Sequence, residues 1–211
     1  KCEKKRVNKR KTKIIMGGFV MSSALLLIDF INENVSFEGK MAKKGYPDYC
    51  QKNNTLSNAK KLLSKFRESN NLVVHVKVGF SEDYKEQPKQ SPLFGAADKF
   101  QAFQLGGYGC EFCEELTPNE DEPIIIKHRV SAFFGTPLEL VLRNNNITDL
   151  YICGVATDLA VQAAARDAHD RDFVVHVVED CCGAANESDH TTSLFPLKKI
   201  SHVITLNEVE I

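Results

Sequence analysis

Three places in the chain carry residues suited to acid–base or nucleophilic chemistry: Asp29, Lys127 and the turn from Gly154 to Ala160. A carboxylate and an amine held close together bias each other's protonation, which is the basis of acid–base work. The turn leads into a helix whose free N–H groups and positive dipole end favour an anion or a developing oxyanion. A nucleophile is expected at the head of that helix, and the residue there is Ala160. Alanine has no nucleophilic atom, so covalent catalysis from this position is excluded.

The elements that must position these residues are legible as short apolar runs. Ser23 to Asp29, SALLLID, reads as a strand buried on both faces and ending in the carboxylate. Leu72 to Val78, LVVHVKV, is a second strand, with His75 as a core or sheet-face histidine. Pro123 to Lys127, PIIIK, reads as a third buried strand and ends in the lysine. Asp149 to Cys153, Phe173 to Val178 and His202 to Leu206 supply a fourth, fifth and sixth. Between them lie helical stretches. One is Asn54 to Ser69, where Leu56, Ala59, Leu62, Leu63 and Phe66 recur at helical spacing. A second starts at Thr136-Pro137-Leu138-Glu139, which has the form of a capping box, and stops at the Asn144 to Asn146 run. Asp158 to Arg171 and Glu187 to Leu197 are the other two. This alternation predicts an α/β fold, a parallel sheet of six strands with helices on both faces. Asp29, Lys127 and the Gly154 turn then all fall at the C-terminal ends of strands, the edge where open α/β sheets hold ligands.

Composition bounds the partners. With 211 residues, 43% hydrophobic and 26% charged, the chain suits one soluble domain with a sizeable core. A formal net charge of -1 gives no reason to expect nucleic acid or an anionic membrane. No run reaches the length of a membrane-spanning helix. Seven cysteines are an odd number, and several sit in apolar strands, so a reducing, cytoplasmic setting is expected. Residues 1–22 are read as a basic tail, either disordered, vector-derived or translated from upstream of Met21, with residues 23–211 as the domain. Cys110 and Cys113 form a lone CxxC without a second ligand pair, so no zinc site is expected. No phosphate-binding glycine motif is present, and no nucleotide cofactor is expected. The long aperiodic stretch from Gly79 to Glu122 suits a lid or pocket wall. Phe30, Phe80, Tyr108, Phe133 and Phe134 are candidates for an aromatic pocket lining, each with a plain core role as the alternative.

Taken together and in order, LLLIDFIN, IIIKHRVSAFFGTPLELVLR and GVATDLAVQAAARDAHDR resemble the isochorismatase-like, or cysteine hydrolase, superfamily from about Ala24 to the C-terminus. The resemblance implies a Rossmann-like three-layer α/β/α sandwich. It implies a small-molecule substrate and a homo-oligomer, dimer or tetramer. In the amidohydrolases of the superfamily an Asp, a Lys and a Cys do the chemistry, and they fall on Asp29, Lys127 and position 160. The peptide Val155–Ala156, before Thr157, would be cis and help to form an oxyanion hole. Nicotinamidases add a metal through an Asp-x-His pair, which Asp48-Tyr49-Cys50 does not supply, so no metal is expected.

The alanine at 160 leaves three readings open. The chain belongs to a branch that works without the cysteine, as true isochorismatases do when they protonate the enol carbon of a vinyl ether. Alternatively, Ala160 is an engineered replacement in a cysteine amidohydrolase acting on small amide or ureido substrates. In the third reading the chain is a non-catalytic binding protein on an enzyme fold.

Overall fold

A computed structural model of the protein describes residues 22–211. Before them it gives the backbone of two short strands, β1 (Ile15–Met16) and β2 (Phe19–Val20), paired antiparallel. The remaining residues of the expected basic tail lie outside the described residues.

Six further strands make one sheet: β3 (Ser23–Ile28), β4 (Leu72–Val78), β5 (Ile124–Lys127), β6 (Asp149–Gly154), β7 (Val174–Val178) and β8 (His202–Ile204). Their order is β5-β4-β3-β6-β7-β8, and every pairing is parallel. The chain builds outward from β3 to β5 on one side, then returns to lay β6 against the other side of β3. That reversal puts a switch point between β3 and β6, where a crevice opens beyond the strand ends. Asp29 follows β3 directly and the Gly154 turn ends β6, so the two flank the crevice.

The helices are α1 (Asn32–Val35), α2 (Tyr46–Lys52), α3 (Thr55–Glu68), α4 (Ala97–Phe100), α5 (Leu138–Asn144), α6 (Gln162–His169) and α7 (Glu187–Leu197). On α3, Ala59, Leu62, Leu63 and Phe66 are buried, as their spacing predicts, and the helix lies against β3 and β4. Phe66 meets Tyr151 of β6 edge-on at 5.2 Å between ring centres. Ala164, Ala165 and Ala168 of α6 are buried, and their small side chains let that helix approach β6 and β7 closely. The result is the expected three-layer α/β/α sandwich.

Three local expectations are corrected. β5 is not buried on both faces: it is the edge strand, with Ile124 and Ile126 at 48% and 40% exposure and only Ile125 and Lys127 turned inward. The helix expected from Asp158 begins instead as a turn of π-helix over Thr157–Val161, and the α-helical part starts at Gln162. The Thr136 capping box does not close. Thr136 Oγ1 donates to the Ala132 carbonyl, Pro137 is the cap residue, and Glu139 pairs with Arg171 at 3.0 Å. Glu139 has a stronger partner across the surface than the helix start offers.

Candidate active site

Asp29 and Lys127 meet at the sheet edge. Lys127 Nζ lies 2.8 Å from Asp29 Oδ2, and the two residues are 1% and 4% exposed. Their strands are separated by β4, which contributes a third member: the Val78 N–H donates to Asp29 Oδ1 at 2.6 Å. Asp29 sits in the left-handed region, with φ at 57°, a conformation uncommon for a residue with a side chain. Two bonds hold it there. Its N–H donates to the Val76 carbonyl at 2.8 Å, and its own carbonyl accepts from Asn34 Nδ2 at 3.0 Å.

Lys127 has three acceptors: Asp29 Oδ2, the Arg129 carbonyl and the Val130 carbonyl, the last two at 3.1 Å. An ammonium has three protons to donate, so all are committed. The lysine is held beside the carboxyl with no donor left over for a ligand. Burial raises the Asp29 carboxyl above its ordinary range, while Lys127 and the Val78 N–H pull against that rise. The net direction is upward, toward a group able to give a proton as well as take one.

The turn that closes the other wall is built close against β3. A Cβ on Gly154 would stand 2.3 Å from the Ile28 carbonyl oxygen, so only glycine lets β6 reach this position. The Val155–Ala156 peptide is cis. Val155 donates to the Ile28 carbonyl at 3.0 Å, and Thr157 donates to the Gly183 carbonyl through both its N–H, at 2.8 Å, and its Oγ1, at 2.9 Å. The Ala156 N–H has no acceptor among the described residues, and it is the donor the turn leaves for a ligand. Thr157 is wholly buried and also bonds His190 Nδ1 at 2.9 Å, so it braces the turn from behind.

One cavity joins these parts. Asp29, Lys127, Val155, Ala156 and Ala160 all line it, which brings together the two candidate acid–base residues, the turn and Ala160, where a nucleophile was expected. Other expected lining residues are elsewhere. Phe30 and Phe80 are at most 1% exposed and packed into the core, and Phe80 stacks among Tyr84, Phe94 and His128. Tyr108 and Phe134 are 49% and 66% exposed on the surface, and Phe133 packs on Phe173. Thr157 lies behind the turn rather than on the cavity wall. The lining comes instead from Asn34, Met41 and Tyr46 after β3, and from Leu93, Phe94 and Phe103 in the long aperiodic stretch. Phe94 and Phe103 carried a signal, since that stretch had been expected to form a pocket wall. Asn34 carried none: it lies two residues beyond the LLLIDFIN run, which ends at Asn32.

No described cysteine reaches the cavity. Cys50, Cys110, Cys113, Cys153, Cys181 and Cys182 are free and buried, and none lines the cavity. Burial pushes the thiols of Cys50, Cys110, Cys113 and Cys182 up to about 12, and those of Cys153 and Cys181 also rise. Such thiols carry almost no thiolate at neutral pH. Among the described residues no group of three or more His, Cys, Asp or Glu side chains is placed to hold a metal ion, and no helix is long and apolar enough to cross a membrane.

The sequence matches the family model described as the isochorismatase domain over residues 23–208, nearly the whole described chain. The chain belongs to the isochorismatase family. An isochorismatase family protein of Escherichia coli O157:H7, YecD, is 32% identical over 189 residues, which span 89% of this chain and 94% of that one. Ureidoacrylate amidohydrolase RutB of Cronobacter sakazakii is 29% identical, with 75% of this chain and 73% of the relative covered. Among solved structures, N-carbamoylsarcosine amidase from Thermoplasma acidophilum superposes with a TM-score of 0.73 at 26% identity, over 90% of this chain and all of that one. The isochorismatase-family fold and the hydrolase character of its named members frame the chemistry at the Asp29 edge.

Proposed function

We propose that this isochorismatase-family protein is a small-molecule hydrolase that works by acid–base chemistry at Asp29, with Lys127 beside it and no covalent thiol intermediate. The observation that carries the reading is the buried 2.8 Å contact between Lys127 and Asp29 on the wall of the cavity that Ala160 also lines. A binding relic has no need to bury a carboxyl and an amine together, and a buried pair is costly to keep. The bond that suits such a site is a vinyl ether, the bond type that isochorismate contains. Asp29 gives its proton to the terminal enol carbon, and water adds to the resulting oxocarbenium carbon and returns a proton to Asp29. The hemiketal then collapses to a ketone and an alcohol. Lys127 holds the carboxyl in place, and the Ala156 N–H is available to a substrate oxygen. The upward push of burial on Asp29 supports the proton-donor role.

The test is alcohol release from a panel of vinyl ethers in heavy water, with solvent deuterium found on the new methyl group. Asp29→Asn keeps the shape and must slow the reaction by about 10²-fold or more. If the purified chain leaves every vinyl ether intact, the reading is wrong.

A second reading follows from the position of Ala160, whose methyl group lines the cavity with Asp29. A thiol placed there would meet the Asp–Lys pair expected of an amidohydrolase, and the relatives named as amidases support it. Ala160→Cys then gains activity on small amide or ureido substrates. The free, buried cysteines support a reducing, cytoplasmic setting, and the exposed Phe37, Phe100 and Phe195 support association into a homo-oligomer.

A further inference from the structure

We infer that the Asp29 cavity selects an uncharged substrate that offers an N–H or O–H donor to Asn34, and that it rejects substrates carrying a carboxylate, the dicarboxylate isochorismate included. The inference deepens the proposed acid–base function and rests on the same cavity. It rests first on cations. Lys127 is the only Lys, Arg or His lining the cavity among the described residues, and its three protons are committed to Asp29 and two carbonyls. Arg129, two residues on, spends one guanidinium nitrogen on the Glu86 and His128 carbonyls and does not line the cavity. Lys43 and Lys44 are exposed on the turn between the lining residues Met41 and Tyr46, but they are not part of the wall. A carboxylate entering here would leave water without a cation to pair with.

The uncommitted polar atoms point the same way. Asn34 is buried, and its Nδ2 must face the Asp29 carbonyl it donates to, which fixes the amide's orientation. Its Oδ1 accepts no hydrogen bond among the described residues and is left as an acceptor on a lining side chain. Asp158 and, more weakly, Asp189 add to burial in raising the Tyr46 hydroxyl's pKa, so the field at this side of the cavity is negative. An acceptor on the wall and a negative field at Tyr46 call for a ligand with protons to give. A primary carboxamide fits: its oxygen takes the Ala156 N–H and its N–H meets Asn34 Oδ1.

The experiment compares α-methoxyacrylamide with α-methoxyacrylate, which share the vinyl ether and differ in the carboxamide or carboxylate. Binding to the wild-type chain is read by ligand-observed NMR, and turnover is read separately as methanol release. The amide is expected to bind about tenfold tighter or more, the scale set by one buried polar group gaining or losing its partner. In Leu93→Arg, which adds a cation at a 39% exposed rim position, the preference is expected to fall or invert. Equal binding, tighter binding of the acid, no binding of the amide, or an unmoved preference in a folded Leu93→Arg chain would each overturn the inference. Failure of both compounds to release methanol would instead count against the acid–base reading, and the binding order would still decide this one.

Discussion

Replacing Lys127 with methionine tests the central pair through stability as well as activity. Methionine keeps the length of the side chain but leaves Asp29 Oδ2 and the Arg129 and Val130 carbonyls without their donor. Removing one partner of a buried pair costs about 3–5 kcal/mol, because the other charge stays behind unpaired. The cost must depend on pH. Burial already holds the folded Asp29 pKa above 3.8, with Lys127 opposing the rise, so loss of Lys127 drives it higher. A carboxyl raised in the folded state contributes stability that is fully present below its unfolded pKa and is lost as pH rises through the folded value. The penalty of Lys127→Met is therefore largest near pH 8. It shrinks to about 1–2 kcal/mol near pH 4, where a neutral Asp29 leaves only the orphaned carbonyls to account for. Urea titrations of both chains at these two pH values, with unchanged m, read the difference directly. An equal penalty at both pH values, or one below about 1 kcal/mol near pH 8, would refute the argument that Lys127 neutralises a buried carboxylate.

Asp29→Asn should lower vinyl ether turnover by about 10²–10⁴, the usual worth of a general acid, with the melting transition still cooperative; retained turnover would remove Asp29 from the reaction. Gly154→Ala should destabilise by about 1–3 kcal/mol or more, because the new methyl group meets the Ile28 carbonyl oxygen at 2.3 Å, and denaturant midpoints will show it. Glu122 tests the far end of the sheet, where it bonds Arg67 at 2.7 Å and His75 at 2.8 Å. Burial raises its carboxyl, but the bonds from Arg67, the Asn119 N–H and His75 outweigh this and bring it to about 2. That stability is present above the unfolded value of 4.5 and is lost as pH falls through about 2, so Glu122→Gln should cost about 1–3 kcal/mol at pH 7 and progressively less in acid.

Much of the frame was legible because it depends on local pattern. Continuous apolar runs ending in Asp29 and Lys127, separated by helical spacing, are enough to place both residues on one sheet edge. The details that failed depend on neighbours distant in sequence. PIIIK reads as doubly buried, yet the order of strands leaves β5 at the edge with two isoleucines facing out. Phe30 and Phe80 sit beside site residues in sequence, but the chain turns after each strand and sends both rings into the core. Asn34 and Tyr46 reach the cavity only because α1 and the turns after it fold back over the end of β3, and nothing in their own spacing says so.

The layout of the sheet also ties this site to the folding of the whole chain. Asp29, Val78, Lys127 and Ala156 come from or directly after four strands, β3 to β6, which lie side by side in the order β5-β4-β3-β6. Each parallel neighbour is reached through a long crossover, so none of these residues meets another until distant segments have paired. A fragment that ends before β6 lacks the Val155 and Ala156 wall of the cavity and leaves one side of β3 unpaired. Recovery of ligand binding after dilution from denaturant therefore reports assembly of the entire central sheet, and it should lag behind the return of helical signal.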